Sequence, residues 1–303
     1  MSSPSPSHPR LLSPRHWPAQ LGVVLLKLAA RVPWRWQLRI GPLLGRLLMA
    51  VAGGRRRVAA RNLELVFPAL DAGARAELLR AHFEALGTGA FEFARAWFGS
   101  EKPWRQGLEI EGIEHLQALA REGRGVLLVS GHFTTLEACG RLLTAHVPVA
   151  GMYRAHDEPV MEAAVLAGRL RYACAMFRRE ELRAAIRHLK GGGILWYAPD
   201  QDMLGKDTVF VPFFGIPAAS ITATHQLARL SGAAVVPFFH RREGARYVMR
   251  IGEPLADFPS ADAAADTTRV NAAVEAMVRE APAQYLWIHK RYKRRPPGES
   301  PVY

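Results

Sequence analysis

The chain has 303 residues, enough for one large α/β domain or two small ones, and its 49% hydrophobic content excludes a globally disordered protein. The formal net charge of +13 predicts anionic partners: nucleic acid, an anionic membrane surface or an acidic protein. Because the sequence has no zinc-finger spacing and no RNP motif, we expect no nucleic acid among these partners and favour the membrane and the acidic protein.

The N-terminal part divides into a tail and an apolar segment. Residues 1–14 are rich in Ser and Pro and are expected to be disordered. Residues 15–54 contain two apolar stretches, Trp17–Val32 and Leu38–Ala52, which carry a few cations and precede the basic run Arg55–Arg57. The first stretch is shorter than the roughly 20 residues of a comfortable membrane span. We predict a membrane-anchoring helix that barely spans or lies in the interface; an amphipathic helix of the core is the alternative.

Beyond residue 54, helical and strand-like segments alternate, a pattern typical of an α/β domain. Helices are predicted over Asp71–Trp97, Glu114–Arg121, Pro159–Arg171, Glu180–Lys190, Ser220–Leu230 and Thr267–Glu280, and strands over Leu108–Ile113, Val126–Val129, Val147–Tyr153, Ile194–Ala198, Ala233–Phe239 and Tyr247–Ile251. Val209–Pro217 is very apolar for a loop and either lines an acyl pocket or belongs to the core. We expect one domain over 55–303, with a central mixed β-sheet flanked by helices.

His132 lies at a predicted strand-to-helix corner. The strand Val126–Val129 precedes it, and Thr134–Glu137 fits a capping box that starts a helix at Thr134. Outside the helix, His132 can face Glu137, whose carboxylate would fix the imidazole tautomer and raise its basicity. The two residues would then be a general base and its orienting group. The alternative is an ordinary loop histidine beside a glutamate that only caps the helix.

Polar residues follow three predicted strands at the point where each strand ends. His132 follows one strand, Arg154 the next, and Asp200 and Asp202 a third. In alternating α/β chains the carboxyl ends of the strands form the edge where ligands bind, so we expect these residues to share a site. Taken one at a time, Arg154 could be a surface charge and the two aspartates turn formers. The HExxH spacing and the Cys/His cluster of zinc sites are missing, so we expect no metal.

Several motifs together resemble the lipid A biosynthesis acyltransferases, the late lauroyl and myristoyl transferases of Gram-negative inner membranes. The matching stretches are Pro14–Trp17, Arg61–Pro68, His132 with Glu137, Tyr153-Arg154, Gly168–Arg171, Trp196–Asp202, Val209–Phe214 and Gln284–His289. The His-x4-acid pattern alone is similar to the wider glycerolipid acyltransferase superfamily. The Tyr197–Asp200 and Gln284–Trp287 blocks are more specific.

The resemblance implies a mechanism and a set of partners. His132, oriented by Glu137, would deprotonate a hydroxyl of a Kdo-modified lipid A precursor, which attacks the thioester of an acyl-acyl-carrier-protein without an acyl-enzyme. Arg154 and Arg169 would bind phosphates or stabilise the oxyanion, and Asp200 and Asp202 would shape the acceptor site. The carrier protein would be a co-substrate, with no other cofactor. The resemblance also implies a bacterial inner-membrane location with the active site facing the cytoplasm.

Two alternatives stay open at this point. The same chemistry could act on another glycolipid or an aminolipid, or the chain could be a basic membrane-associated binding protein without catalysis. The C-terminal cluster Lys290–Arg295 fits either a solvated tail or a contact with an anionic headgroup or acidic carrier. Loss of turnover with a retained fold in a His132→Ala variant would separate enzyme from binding protein.

Overall fold

The computed structural model describes residues 13–203, 205 and 207–303. The predicted disorder of residues 1–14 therefore falls, except for its last two positions, outside the described residues. The helices are α1 (Trp17–Arg31), α2 (Trp34–Val51), α3 (Gly53–Val66), α4 (Ala72–Phe98), α5 (Lys102–Arg105), α6 (Ile113–Arg121), α7 (Leu136–Leu143), α8 (Pro159–Arg169), α9 (Leu182–Lys190), α10 (Ala223–Ser231) and α11 (Ala263–Glu280). The strands are β1 (Leu108–Glu111), β2 (Val126–Val129), β3 (Val149–Tyr153), β4 (Met176–Arg178), β5 (Ile194–Tyr197), β6 (Thr208–Phe213), β7 (Ile216–Ile221), β8 (Ala234–Glu243) and β9 (Arg246–Ile251).

Seven strands form one mixed sheet in the order β1-β9-β8-β2-β5-β3-β4. The β8–β9 pair is antiparallel, and the other neighbours are parallel. The predicted mixed sheet with flanking helices is confirmed. Because β2, β5 and β3 are parallel neighbours, their carboxyl ends meet at one edge, as the sequence predicted for the polar residues that follow them.

The central strand β2 is buried on both faces, which is why its sequence is apolar without alternation. Val126 and Leu128 belong to a core cluster shared with α4, α6, α7 and α8. Leu127 and Val129 point to a second cluster formed with α9, α10 and α11. The sheet is therefore covered by helices on both sides, and ligands can reach it only at an edge.

The N-terminal helices pack against α4 through glycines. A Cβ on Gly45 would lie 2.0 Å from the carbonyl oxygen of Phe83, and one on Gly87 would lie 2.1 Å from that of Gly41. Only glycine allows α2 and α4 to approach this closely. Among the described residues, no helix combines the length and the apolar character that crossing a bilayer requires.

The apolar segment Val209–Pro217 is a hairpin rather than a loop. Its strands β6 and β7 pair antiparallel, and Phe213 and Ala218 are buried in a core cluster with α3, α11 and the C-terminal segment. Of the two interpretations of this segment, the structure supports the core.

Candidate active site

The corner after β2 carries His132 and begins helix α7 later than predicted. Ser130 continues the ladder, since its N–H donates to the carbonyl oxygen of Tyr197 at 3.2 Å. Helix α7 starts at Leu136 with Thr135 as N-cap, and no side chain caps it. The capping box at Thr134 was therefore a wrong prediction, and the Thr134 hydroxyl has no hydrogen-bond partner among the described residues.

His132 is paired with Asp200, which follows the neighbouring strand β5. The ring Nδ1 lies 2.5 Å from Oδ1 of Asp200, and the backbone N–H of His132 donates to Oδ2 at 2.8 Å. Asp200 is only 2% exposed, whereas the His132 side chain is 30% exposed. One buried carboxylate thus fixes both the backbone and the ring of the histidine, and leaves Nε2 as the nitrogen that can exchange a proton.

The pairing changes the pKa of both groups. Burial favours a neutral imidazole, but the charge and the hydrogen bond of Asp200 outweigh it, and the pKa of His132 is raised above its ordinary value. Burial opposes ionisation of Asp200 as well, yet the bonds from His132 lower the pKa of that carboxyl to about 2. At neutral pH Asp200 is ionised, and its charge favours the protonated form of the His132 imidazole.

Glu137 is not the hydrogen-bond partner of His132, so this part of the sequence interpretation is corrected. Its Oε1 accepts from Nε of Arg169 at 3.0 Å and also from Nη2 of that residue. Its Oε2 accepts from Trp97 Nε1 at 2.8 Å and from the Tyr172 hydroxyl at 2.7 Å. These four donors saturate the two oxygens of Glu137. They come from α4, α8 and the segment after α8.

The ion pair of Glu137 with Arg169 is buried and stable in its charged form. Burial raises the pKa of Glu137, but Arg169 and the Trp97 and Tyr172 donors lower it below its ordinary value. Gly168 allows this placement, because a Cβ there would lie 2.6 Å from the side chain of Trp97. Arg169 also lies over the ring of Tyr153, 5.8 Å from its centroid, and its charge opposes protonation of His132.

A cavity of about 1160 Å³ opens at this edge of the sheet. His132, Glu137 and Arg169 line it, as do Arg154 and Asp202. The rest of its wall is mainly apolar and includes Phe93, Met152, Met176, Ile186, Trp196 and Leu227. The cavity therefore joins a charged acid–base centre to a space suited to a long hydrocarbon chain.

The other predicted site residues are brought to this cavity, with different surroundings. Arg154 is largely exposed and pairs with Asp157 at 3.0 Å. The side chain of Asp202 is 3% exposed and pairs with Arg294, and its backbone N–H donates to His289 Nε2 at 3.0 Å. Within the described ranges, no three His, Cys, Asp or Glu side chains come together as a metal site requires. The expectation that no metal is used stays a prediction.

The C-terminal cations are mainly internal. Arg291 is buried, with Nη1 donating to the carbonyl oxygen of Ala219 at 2.6 Å and Nη2 to Ser220 Oγ at 2.7 Å. Arg294 binds Asp202, and Arg295 binds Glu299. Arg291 therefore fits neither proposed role of the cluster, whereas Lys290 and Lys293 are exposed, and for them both roles stay predictions.

The corner is held in place by a C-terminal segment whose role was not predicted from the sequence. The N–H of Thr134 donates to the carbonyl oxygen of Gln284 at 2.8 Å, and the N–H of Leu286 donates to that of His132 at 2.9 Å. The Gln284 amide in turn exchanges two 2.8 Å bonds with the backbone of Arg242 on β8. The motif around Gln284 was a signal of family membership, but nothing in the sequence indicated what it would touch.

An α/β sheet with a carboxylate-paired histidine at its edge, beside a large cavity with a mainly apolar wall, is the kind of site found in enzymes that act on apolar substrates. Comparison with known proteins specifies the class. The chain matches the family described as "Bacterial lipid A biosynthesis acyltransferase" over residues 5–294, and it belongs to that family. It is an acyltransferase of lipid A biosynthesis.

Two relatives illustrate the range of the family. The chain is 38% identical to the lipid A biosynthesis lauroyltransferase of Escherichia coli K12, over 95% of each chain. It is 34% identical to the palmitoleoyltransferase of the same organism, over 96% of each. A solved 1-acyl-sn-glycerophosphate acyltransferase from Thermotoga maritima aligns with 88% of this chain and 100% of its own at 16% identity and a TM-score of 0.40, too distant to inform the site.

Proposed function

We propose that this protein transfers a fatty acyl chain from acyl-acyl-carrier-protein to a hydroxyl of a Kdo-modified lipid A precursor. The observation that carries the proposal is the His132–Asp200 pair at the polar end of a large apolar-walled cavity. The carrier-protein donor and the Kdo-bearing acceptor come from the family resemblance. The pair supplies the base, and the cavity supplies room for the chain.

In the proposed reaction His132 acts as the general base. Asp200 holds Nδ1, and Nε2 takes the proton as the acceptor oxygen forms a bond to the thioester carbonyl carbon. The tetrahedral intermediate then collapses with cleavage of the carbon–sulfur bond, and the imidazolium returns the proton to the thiolate of the carrier arm. No acyl-enzyme is formed, because the histidine acts on the acceptor hydroxyl itself.

Two arginines are proposed to handle negative charge. Arg169 lines the cavity beside His132, and its bonds to Glu137 use Nε and Nη2 of a guanidinium that has five N–H donors. Its fixed charge is placed to stabilise the developing oxyanion. Arg154 lines the cavity but is largely exposed, which suits a phosphate of the acceptor. Asp202, held by Arg294, is proposed to shape the acceptor side.

Helix α9 is proposed to receive the acidic carrier protein. Arg183, Arg187 and Lys190 are exposed and recur at spacings of four and three residues, so they lie along one face of α9. Leu182 and Ile186 of the same helix line the cavity. A carrier bound to this basic face would stand beside the cavity into which its acyl chain must enter.

The N-terminal helices are proposed to lie in the interface of the inner membrane on its cytoplasmic side. Large apolar side chains are exposed along one stripe of each helix: Trp17, Leu21, Val24, Leu25 and Leu28 on α1, and Trp36, Ile40, Leu43, Leu47 and Val51 on α2. Cations such as Arg35 and Arg39 border these stripes, which suits anionic headgroups. Helix α4, which packs against α2 through Gly87, also lines the cavity through Phe93. Lipid substrates would thus meet the cavity beside the bound surface.

The membrane interface is tested with anionic vesicles. A Leu43→Glu/Leu47→Glu double variant should lose most co-sedimentation, because it places two charges on the apolar stripe. Phe210→Glu is the matched control, since Phe210 is an exposed aromatic on the β6–β7 hairpin. Equal binding by the wild type, the double variant and Phe210→Glu would contradict the proposal that α1 and α2 form the membrane interface.

The transfer reaction is tested with membranes carrying the protein, a panel of acyl-carrier-protein thioesters and Kdo-modified tetraacyl lipid A precursor. We expect transfer by the wild type and a loss of at least about 100-fold in His132→Ala. Because the two named relatives are a lauroyl- and a palmitoleoyltransferase, the panel also determines the chain length. Transfer only to another glycolipid or aminolipid would change the acceptor and keep the chemistry. No transfer to any acceptor would overturn the proposal.

A further inference from the structure

His240 contacts the catalytic corner from the side opposite to Asp200. It lies on β8, which borders β2 on one side while β5 borders it on the other. Its Nε2 is 3.1 Å from Ser130 Oγ, and its Nδ1 is 2.9 Å from Thr135 Oγ1. Ser130 directly follows β2 and Thr135 is the N-cap position of α7, so one imidazole bonds to both ends of the corner, with His132 between them.

The contacts around the ring satisfy both of its nitrogens. A neutral imidazole donates from one nitrogen and accepts at the other. The Ser130 hydroxyl also reaches the carbonyl oxygen of Gly131 at 3.1 Å, and the Thr135 hydroxyl reaches the carbonyl oxygen of His240 at 3.5 Å. Each hydroxyl can therefore either donate to the ring, or accept from it and donate to the neighbouring carbonyl oxygen. Both neutral tautomers keep the bonds to Ser130 and Thr135.

The surroundings of His240 keep it neutral. It is fully buried against the rings of Phe133, Trp196 and Phe238, with centroids 5.5, 5.4 and 5.2 Å away. Burial and the charge of His132 lower the pKa of His240 to about 3. A ring that stays neutral can hold the corner without competing for the proton that His132 must take.

We propose that His240 is a positioning residue that sets the ring of His132 against Asp200. Asp200 fixes His132 from β5, and His240 fixes the chain on either side of His132 from β8. Without the second support, the corner can shift while both Asp200 and His132 remain present. The inference rests on the proposed function, in which His132 is the general base.

The test compares two amide substitutions. In His240→Asn the amide can reach the Thr135 side of the ring, and in His240→Gln the Ser130 side, so each variant keeps one bond and loses the other. We expect kcat to fall by about 10- to 100-fold in both, with KM within about twofold, because a displaced base slows chemistry rather than binding. The acid limb of kcat/KM, the range in which the rate falls with decreasing pH, should also move to lower pH. A weaker bond to Asp200 stabilises the imidazolium of His132 less.

The pH at which kcat/KM falls depends on the charged and titratable groups that interact with His132. These groups are Asp200 after β5, Arg169 on α8, His240 on β8 and His289 in the C-terminal segment. Only His240 differs between the variants and the wild type. A histidine-labelled NMR titration of the His132 ring, assigned against His132→Ala, measures the same shift without turnover.

The matched control is His225→Asn, a change at another buried histidine, which bonds Asp266 at 2.8 Å and does not line the cavity. It should lower Tm and leave the acid limb in place. If the His240 variants lose activity only in proportion to folded protein, with the limb and the His132 titration unmoved, His240 is structural and the inference fails. If the wild type transfers nothing, the proposed function fails, while the titration still decides whether His240 positions His132.

Discussion

Two buried carboxylates beside the same cavity are used in different ways. Asp200 and Glu137 are 2% and 6% exposed, and each is paired with a cationic side chain. Both oxygens of Asp200 accept hydrogen bonds from His132, and Tyr285 is a further donor to this carboxylate. Glu137 accepts from Arg169, Trp97 and Tyr172, which lie in different parts of the chain. Asp200 therefore fixes the ring of His132, whereas Glu137 connects several elements in the wall of the cavity.

The partner decides what each pair can do. An imidazolium can release its proton near neutral pH, whereas a guanidinium stays protonated. The Asp200–His132 pair can therefore accept and return a proton during each turnover. The Glu137–Arg169 pair keeps a constant charge beside it, which suits stabilisation of a developing oxyanion rather than proton transfer.

The largest expected effect is a difference in kcat between variants of the two carboxylates. Asp200→Asn should lower kcat by about 1,000- to 10,000-fold, because the amide replaces one accepting oxygen with an NH2 donor, which would face either the ring or the backbone N–H of His132. Glu137→Gln should lower kcat by only about 10-fold, because His132 keeps its partner. The measurement is kcat for both variants in the acyl-transfer assay, with the folded fraction checked by thermal melting. A greater loss in folded Glu137→Gln would reverse the assignment.

Substitution of Glu137 should have its larger effect on stability rather than on kcat. Glu137→Ala removes the partner of a largely buried Arg169 and leaves four donors on three side chains unpaired, so we expect a loss of about 3–5 kcal/mol in the free energy of unfolding. Adding Arg169→Met should restore part of this loss, because the unpaired charge is then gone. Urea unfolding of the single and double variants measures both values. A double variant less stable than Glu137→Ala would contradict a structural role for the pair.

The pH dependence of the rate tests the Asp200 pair directly. The pKa of His132 is raised above 6.5, and the base must be neutral, so kcat/KM should rise with pH through that raised pKa. Below it the rate should fall about 10-fold per pH unit. In Asp200→Asn the limb should move to lower pH, because the charge that supports the imidazolium is lost. A limb that stays in place would mean that another group titrates.

The location of the site residues at one edge of the sheet was predicted better from the sequence than their hydrogen-bond partners. Strand β2 was predicted with its observed bounds, and the convergence of His132, Arg154 and Asp200 followed from parallel strands whose carboxyl ends share one edge. Those inferences depend on local pattern and on general topology. These predictions stay correct even when the predicted start of a helix or strand is wrong by a few residues.

The choice of partner depended on details that no local pattern carries. Glu137 is close to His132 in sequence, but α7 starts at Leu136 and directs that carboxylate to Arg169 and Trp97. Asp200 is 68 positions away and was predicted only to shape the acceptor site. His240 had one visible signal, a histidine at the end of an apolar strand, but its two hydroxyl partners could be identified only in the folded chain.

The smallest expected effect concerns acid stability, where neither carboxylate should contribute to the pH dependence under mildly acidic conditions. Since the pKa values of Asp200 and Glu137 are lowered, their stabilisation is fully present at mild pH and is lost only as the pH falls through the ordinary values of 3.8 and 4.5 toward the lowered ones. Burial lowers the pKa of His82 to about 4 and that of His240 to about 3, so the unfolded chain binds these protons first as the pH falls below 6.5.

The free energy of unfolding should therefore decrease by about 1.4 kcal/mol per pH unit for each of these two histidines below pH 6.5. For His82 the decrease ends at about pH 4, and for His240 at about pH 3. His132 acts in the opposite sense above 6.5, because its raised pKa makes its stabilisation disappear as the pH rises through it. Urea unfolding of the wild type and His82→Asn at pH 7, 6 and 5 tests this. The variant should lose the contribution of His82 to the slope between pH 6 and 5, while His240 and His289 keep theirs. An unchanged slope would show that burial of His82 does not set the acid limit.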